Sequence, residues 1–164
     1  MKWHLSVLLL PLLLLGCAYS TTSRTAKGIK SIAVPFFDNQ TTEPNLEISV
    51  TERIIQNLVD DNTLNVTEEE RADAVLDGAI TNFSNLPFSF NRELNAEEYH
   101  VVITVELSLF NRRANEPIWS RRPIRGDGSY LLDSTEEGFS YEDALEEAIK
   151  EITDQILNLT VQDW

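Results

Sequence analysis

Arginine is the residue type whose distribution in this chain most clearly suggests chemistry. Five of the 13 lysines and arginines fall within positions 112–125 of a chain with a formal net charge of −14: Arg112, Arg113, Arg121, Arg122 and Arg125. The planar guanidinium group presents a fork of N–H donors that suits phosphate and carboxylate groups. One interpretation is a binding site for an anionic ligand or an acidic partner surface. The alternative is pairing with the chain's own acids, such as Glu106 or Glu116, in surface ion pairs that contribute little to stability.

The only cysteine, Cys17, is a candidate for acylation rather than catalysis. Residues 5–15 form an apolar run interrupted by Ser6, which has the length of a signal-peptide core and is too short to span a bilayer. Gly16 precedes Cys17 as in the lipobox of bacterial lipoproteins, where the chain is cut before the cysteine and lipid is attached to its sulfur and amine. The alternative is a plain secretory signal or a signal anchor in which the cysteine occurs by chance.

On the lipobox interpretation, residues 1–16 are a signal peptide and Cys17 begins the mature chain. Several acyl chains, palmitate among them, would hold Cys17 at a membrane, since each buried methylene contributes about 0.8 kcal/mol. The small and polar residues up to Gly28 would form a flexible tether over 17–28. The remaining residues, 29–164, have the length of a single domain.

Signs of catalysis or metal binding are weak. The sequence has no Gly-rich phosphate loop, no nucleophile motif and no metal-spaced cluster of His or Cys. His100, the only histidine after residue 16, falls on the polar side of a predicted strand, where a surface role is the ordinary one. We therefore predict that the protein is not an enzyme and has no catalytic residue, no metal and no cofactor apart from lipid on Cys17. The acidity of the chain argues against a nucleic-acid partner.

The elements that must position the arginines follow from the spacing of apolar residues. Strands are predicted over 29–37, 72–83, 99–110 and 117–131, and helices over 44–60 and from Ser140 to about Leu159. This order, β-α-β-β-β-α, predicts an α+β fold: a two-layer α/β sandwich with two helices packed on one face of a small mixed sheet. The five arginines would then occupy the loop and second strand of one hairpin, with several near one end of the sheet.

Two further features of the strands leave alternatives open. Gly78 is expected at a bulge or a close approach, and Gly126 and Gly128 are expected to bend or bulge the last strand. The connection over 84–98 carries alternating Leu86, Phe88 and Phe90. It either extends the two flanking strands or forms an exposed apolar loop that docks into a partner or lipid.

With these stretches in view, the chain resembles the lipopolysaccharide-assembly lipoprotein family LptE. The matching stretches are Leu14 to Tyr19 around the cysteine, 29–47, 72–80, 98–110, 118–120 and the C-terminal amphipathic helix. The resemblance implies an α/β sandwich anchored on the periplasmic side of the outer membrane, and Ala18 after the cysteine fits that location. It further implies a plug within the large β-barrel LptD, which delivers lipopolysaccharide to the cell surface, with lipopolysaccharide itself as a ligand.

The opening strand keeps a second class of function in consideration. Residues 32–39, IAVPFFDN, are also similar to curli-secretion lipoproteins and to outer-membrane activators of peptidoglycan synthases, so another periplasmic lipoprotein is the alternative. An exported hydrolase has only unspecific carboxylates in its support. The resemblance to LptE transfers no ligand-binding residue by position, so the arginine cluster depends on its local charge alone.

Overall fold

The computed structural model describes residues 28–132 and 140–161. In chain order the elements are β1 (Ser31–Ala33), β2 (Asp38–Asn39), α1 (Leu46–Asp61), β3 (Asn65–Val66), a 3-10 turn (Glu69–Arg71), β4 (Ala74–Phe90), β5 (Ala96–Asn111), β6 (Glu116–Leu131) and α2 (Tyr141–Val161). The predicted α+β fold, with two helices and a mixed sheet, is confirmed. Cys17, with the predicted signal peptide and all but the last residue of the tether, lies outside the described residues, as does Trp164.

The six strands form one sheet in the order β3-β1-β4-β5-β6, with β2 pairing alongside β4 beyond β1. β1 is parallel to β3 and β4, whereas β4, β5 and β6 form an antiparallel meander. These three strands are 17, 16 and 16 residues long, so they extend well past the short strands. The sheet therefore has a broad end near Ala74 and a three-stranded distal end near Phe90 and Leu131.

The first predicted strand is broken into β1 and β2. Both pieces pair in parallel with β4, through Ala33 opposite Val75 and Asp38 opposite Ala79. Between these two pairs the segment from β1 to β2 advances five residues while β4 advances four. The extra residue is accommodated around Pro35. Proline has no N–H to give to a ladder, so it interrupts the strand at this point.

The 84–98 connection is an extension of the two flanking strands. β4 continues to Phe90 and β5 begins at Ala96, so the turn between them is short. The side chains of Leu86 and Phe88 are nevertheless 62% and 65% exposed. The strand interpretation is thus confirmed, and the apolar side chains remain on the surface.

Both helices pack on the same face of the sheet. Alternate β5 side chains on that face are completely buried: Val101, Ile103, Val105, Leu107 and Leu109. They meet Val50, Ile54 and Leu58 of α1 and Ala148, Ile152 and Ile156 of α2 in one core. We call this the helix face, and the opposite side of the sheet the open face.

The glycines of β6 permit a close approach rather than a bulge. Gly128 and Gly126 pair with Val101 and Ile103 in continuous register, so the predicted bulge is wrong. A Cβ added at either glycine would overlap a main-chain carbonyl oxygen of α2, which shows that α2 lies directly on β6. The irregularity in β6 lies nearer its start, where Arg121 has a positive φ of 50°.

Gly78 of β4 is likewise a point of close approach. A Cβ there would lie 2.7 Å from a ring carbon of Phe37 and 2.8 Å from a methyl carbon of Leu107. The register between β4 and β5 is uninterrupted at Gly78 and shifts only after Ile80. Of the two interpretations offered for this glycine, the close approach is confirmed.

Candidate functional site

The five arginines are divided among three places in the structure. Arg112 and Arg113 lie in the β5–β6 turn, at the broad end of the sheet. Arg122 pairs with the buried Leu107 and so lies on the helix face, whereas Arg125 pairs with Thr104 on the open face. Arg121 also contacts the open face, where its N–H donates to the Ser108 hydroxyl at 3.1 Å. The sequence cluster is therefore not a single patch.

Arg113 is held by a buried carboxylate. Its guanidinium lies 2.6 Å from Asp73, whose side chain is only 8% exposed. The same carboxylate accepts hydrogen bonds from the main-chain N–H groups of Lys30 at 2.8 Å and Ser31 at 3.2 Å. We call this group of four residues the Asp73 clasp. It joins the start of the domain to the β5–β6 turn, so Arg113 has a structural role.

The electrostatics of the clasp favour an ionised Asp73. Burial by itself would raise the pKa of Asp73, but the Lys30 amide, the Arg113 guanidinium and the Ser31 groups outweigh it and hold the pKa below its usual value. Arg112 stands beside the clasp, because its own N–H donates to the Asp73 carbonyl at 2.9 Å. Its guanidinium is exposed and has no carboxylate partner within the described part of the chain.

The two open-face arginines form loose ion pairs. Arg121 Nε lies 3.7 Å from Glu106, one of the acids expected from the sequence, and Arg125 Nε lies 4.0 Å from Asp127. The arginine side chains are 84% and 60% exposed, so solvent screens both interactions and each contributes little to stability. On this face the arginines and acids largely neutralise one another.

Arg122 lies at a groove between β6 and α2. Its guanidinium carbon is 5.6 Å from the centroid of the Trp119 ring, a cation–π distance. The groove has a volume of about 440 Å³ and is lined by Arg122, Pro123, Ile124, Gln155, Asn158 and Leu159. It combines a guanidinium and two amides with apolar walls, an arrangement suited to a ligand with both an anionic and an apolar part.

Sequence reasoning missed the extent of the apolar surface at the distal end of the sheet. Six large apolar side chains there are between 39% and 83% exposed: Leu86, Phe88, Phe90, Leu94, Leu131 and Leu132. We call them the apolar tip. The alternation in 84–98 signalled the first three. Leu131 was expected only as the end of a strand, and no pattern pointed to Leu94 or Leu132.

His100 lies on the open face of β5, as the alternation predicts. Its Nε2 is 3.0 Å from a carboxylate oxygen of Asp127, and the Phe88 ring packs against its ring with centroids 5.2 Å apart. Within residues 28–132 and 140–161, no three His, Cys, Asp or Glu side chains are grouped as a metal site would require. Neither helix in this part of the chain is long and apolar enough to cross a membrane.

A family model described as lipopolysaccharide-assembly, LptE, matches residues 29–160. No curated protein sequence matches the chain significantly. Among solved structures, a hypothetical protein from Chlamydia trachomatis has a TM-score of 0.58 at 11% identity, covering 80% of this chain and 98% of its own. An uncharacterized lipoprotein B from Nitrosomonas europaea has a TM-score of 0.51 at 14% identity, covering 82% and 86%. At such low identity these two likenesses establish the fold alone.

Proposed function

The chain belongs to the LptE family of lipopolysaccharide-assembly lipoproteins, and we propose that it plugs an LptD-type β-barrel in the outer membrane. The observation that carries the proposal is the family match over residues 29–160, which spans every described strand and nearly all of α2. On this proposal Cys17 carries the lipid anchor on the periplasmic side, after removal of residues 1–16. The protein has no catalytic role in lipopolysaccharide transport.

The dimensions of the sheet support a plug. Strands of 16 or 17 residues rise about 3.3 Å per residue and therefore reach about 50 Å. The hydrocarbon core of a bilayer is about 30 Å thick. A sheet of this length anchored near its broad end can extend through the lumen of a barrel, which is polar in proteins of this kind.

For lipopolysaccharide, the groove at Arg122 and the exposed Arg112 are the best-placed candidates among the five arginines. Phosphate groups suit a guanidinium fork, and acyl chains suit apolar walls such as Ile124 and Leu159. Arg113 is engaged by Asp73, so its reversal would also disturb the fold. We therefore assign the ligand-binding role to Arg112 and Arg122, with Arg121 and Arg125 as weaker contributors.

Affinity purification of the tagged, full-length chain from its native membranes tests the barrel partnership. We expect one large outer-membrane barrel protein in stoichiometric amount, retained at high salt because an enclosed interface is screened weakly. Recovery of a peptidoglycan synthase or a secretion channel in its place would contradict the proposal. It would favour the alternative of another periplasmic lipoprotein, which the similarity of residues 32–39 supports.

Charge reversal tests the ligand site separately. We expect Arg112→Glu combined with Arg122→Glu to reduce binding of purified lipopolysaccharide about tenfold or more, as loss of charge-assisted contacts predicts. The matched control is Arg71→Glu, because Arg71 is 70% exposed and forms an exposed ion pair with Glu68, three positions earlier. Binding by the double variant equal to that of the control would contradict the assignment.

A further inference from the structure

The two edges of the long-stranded meander differ in how their backbone is covered. β6 forms one edge, and side chains of α2 cover it. Glu151 accepts a hydrogen bond from the Asp127 N–H, and Gln155 donates one to the Arg125 carbonyl, both at 2.9 Å. Covering or charging an edge in this way is how proteins prevent it from pairing with another chain.

The distal half of β4, from Asn82 to Phe90, has no such cover from the part of the chain that the structure describes. On its outer side β1 and β2 pair with β4 only as far as Ile80, whose carbonyl accepts the last bond, from Gln40. Among residues 28–132 and 140–161, no strand pairs with that side beyond this point. The nine residues, NFSNLPFSF, include no charged side chain. A long edge without charged side chains is a template for strand addition, and its one proline, Pro87, removes a single N–H donor.

Pro87 identifies which backbone groups of this edge are free. Because proline has no N–H, β4 keeps its bonds to β5 only if position 87 faces away from β5. The register does not shift between Asn82 and Pro87, so Phe83 and Asn85 face outward as well. The edge therefore presents the N–H and C=O groups of Phe83 and Asn85 and the C=O group of Pro87.

Apolar side chains lie beside these free groups. Leu86 pairs with His100 on the open face, and the Phe88 ring packs on the same histidine. Both side chains are more than 60% exposed. A strand added at this edge would thus gain apolar contacts as well as backbone hydrogen bonds, the two components of recognition by strand addition.

We propose that Asn82–Phe90 is a docking edge to which an extended segment of a partner protein adds as a further strand. An extended backbone satisfies a row of N–H and C=O groups, whereas an acyl chain offers no hydrogen bond. A second copy of this chain is disfavoured because each copy has a net charge of −14 and the two would repel one another. The inference rests on the proposed function only for the identity of the partner, the barrel protein.

Substitution of Asn85 tests the backbone part of the docking edge. Asn85→Pro removes an outward N–H, and Asn85→Ala is the matched control, because both variants lose the side-chain bond to the Tyr130 hydroxyl at 3.1 Å. We expect the amount of barrel protein that co-purifies with the full-length chain to be about fivefold lower for Asn85→Pro, as loss of one backbone hydrogen bond predicts. Equal recovery with the two variants would overturn the proposal.

A second pair of variants leaves the backbone unchanged. Leu86→Lys places a charge beside the edge at an exposed position. The control Val59→Lys places the same charge on α1, away from the edge, where Val59 is 52% exposed. We expect co-purification to fall about tenfold for Leu86→Lys alone, since a lysine at an edge opposes strand addition. Undiminished recovery with Leu86→Lys would count against the docking edge even if Asn85→Pro failed to fold.

Photo-crosslinking from position 86 identifies the occupant. With p-benzoylphenylalanine at this position in the full-length chain, we expect an adduct with one continuous segment of the co-purifying protein. An adduct with lipid or with a second copy would overturn the proposal. Barrel protein recovered equally with every variant would leave the proposed function intact and refute the docking edge. A different protein recovered with the same sensitivity to Asn85→Pro would support the edge and refute the proposed function.

Discussion

Replacement of Asp73 by asparagine should destabilise the domain at neutral pH. Asparagine keeps one oxygen to accept the N–H of Lys30 or Ser31, but it loses the negative charge that faces Arg113 at 2.6 Å. Because the Arg113 side chain is 67% exposed, this pair is worth less than a fully buried one. Hydrogen bonds to charged groups contribute about 1.5–3 kcal/mol, so we expect a loss of about 2 kcal/mol in the free energy of unfolding.

For a chain of this length, 2 kcal/mol corresponds to a decrease in Tm of about 6 °C. The assay is thermal unfolding of the mature chain followed by circular dichroism. Asp77→Asn is the control, because Asp77 lies in β4, four residues after Asp73, and is exposed. Equal melting temperatures for the two variants at pH 7 would refute the role of the Asp73 clasp.

The pH dependence gives the same prediction an independent check. The pKa of Asp73 is lowered in the folded state, so its ionisation stabilises the fold at pH values above the unfolded pKa of about 3.9. This contribution is lost as the pH falls through the folded-state pKa. The difference in stability between the parent chain and Asp73→Asn should therefore be constant near neutrality and shrink below about pH 4.

Two further substitutions test contacts of α2. Gly126→Ala should lower the free energy of unfolding in urea by about 3 kcal/mol, because the new methyl group meets the Ala148 carbonyl oxygen. The control Ser129→Ala, on the open face, should change it by less than about 0.5 kcal/mol. Similar urea midpoints for the two variants would show that α2 does not lie directly on β6. Tyr141 donates to Glu43 at 2.8 Å, and burial followed by this bond raises its pKa to about 12. The neutral phenol therefore stabilises the fold below about pH 10, and this stabilisation is lost between about pH 10 and 12. Tyr141→Phe should lower stability by about 1 kcal/mol at pH 7 and abolish the alkaline loss, and an unchanged alkaline profile would contradict the assignment.

The parts of the fold that were predictable are those in which burial imposes a regular period. β5 alternates between a fully buried and a partly exposed side from Val101 to Leu109, so its sequence predicts both the strand and its orientation. The prediction of one continuous first strand was wrong at Pro35. The pairing with β4 there includes an extra residue, which the composition of the segment does not reveal. Gly126 and Gly128 were misinterpreted as a bulge because glycine at a bulge and glycine beneath a helix look alike in sequence.

The arginine cluster shows why neighbours in sequence are not neighbours in a site. Consecutive residues of a strand point to opposite faces of the sheet, so Arg121 and Arg122 separate as soon as β6 forms. That separation followed from the predicted strand. The capture of Arg113 did not, because Asp73 lies 40 positions earlier and approaches only when β4 pairs with β5.

The Asp73 clasp also determines how the domain would respond to a pull on its anchor. The chain enters at Lys30, runs into β1 between two parallel strands, and is fixed at once to Asp73. If Cys17 carries lipid and the domain plugs a barrel, as proposed, tension between membrane and barrel would reach the domain along β1. The hydrogen bonds of β1 would then be loaded together in shear instead of being peeled off singly. The Asp73 carboxylate would spread that load to β4 and, through Arg113, to the β5–β6 turn, so the tether would resist extraction without a covalent crosslink.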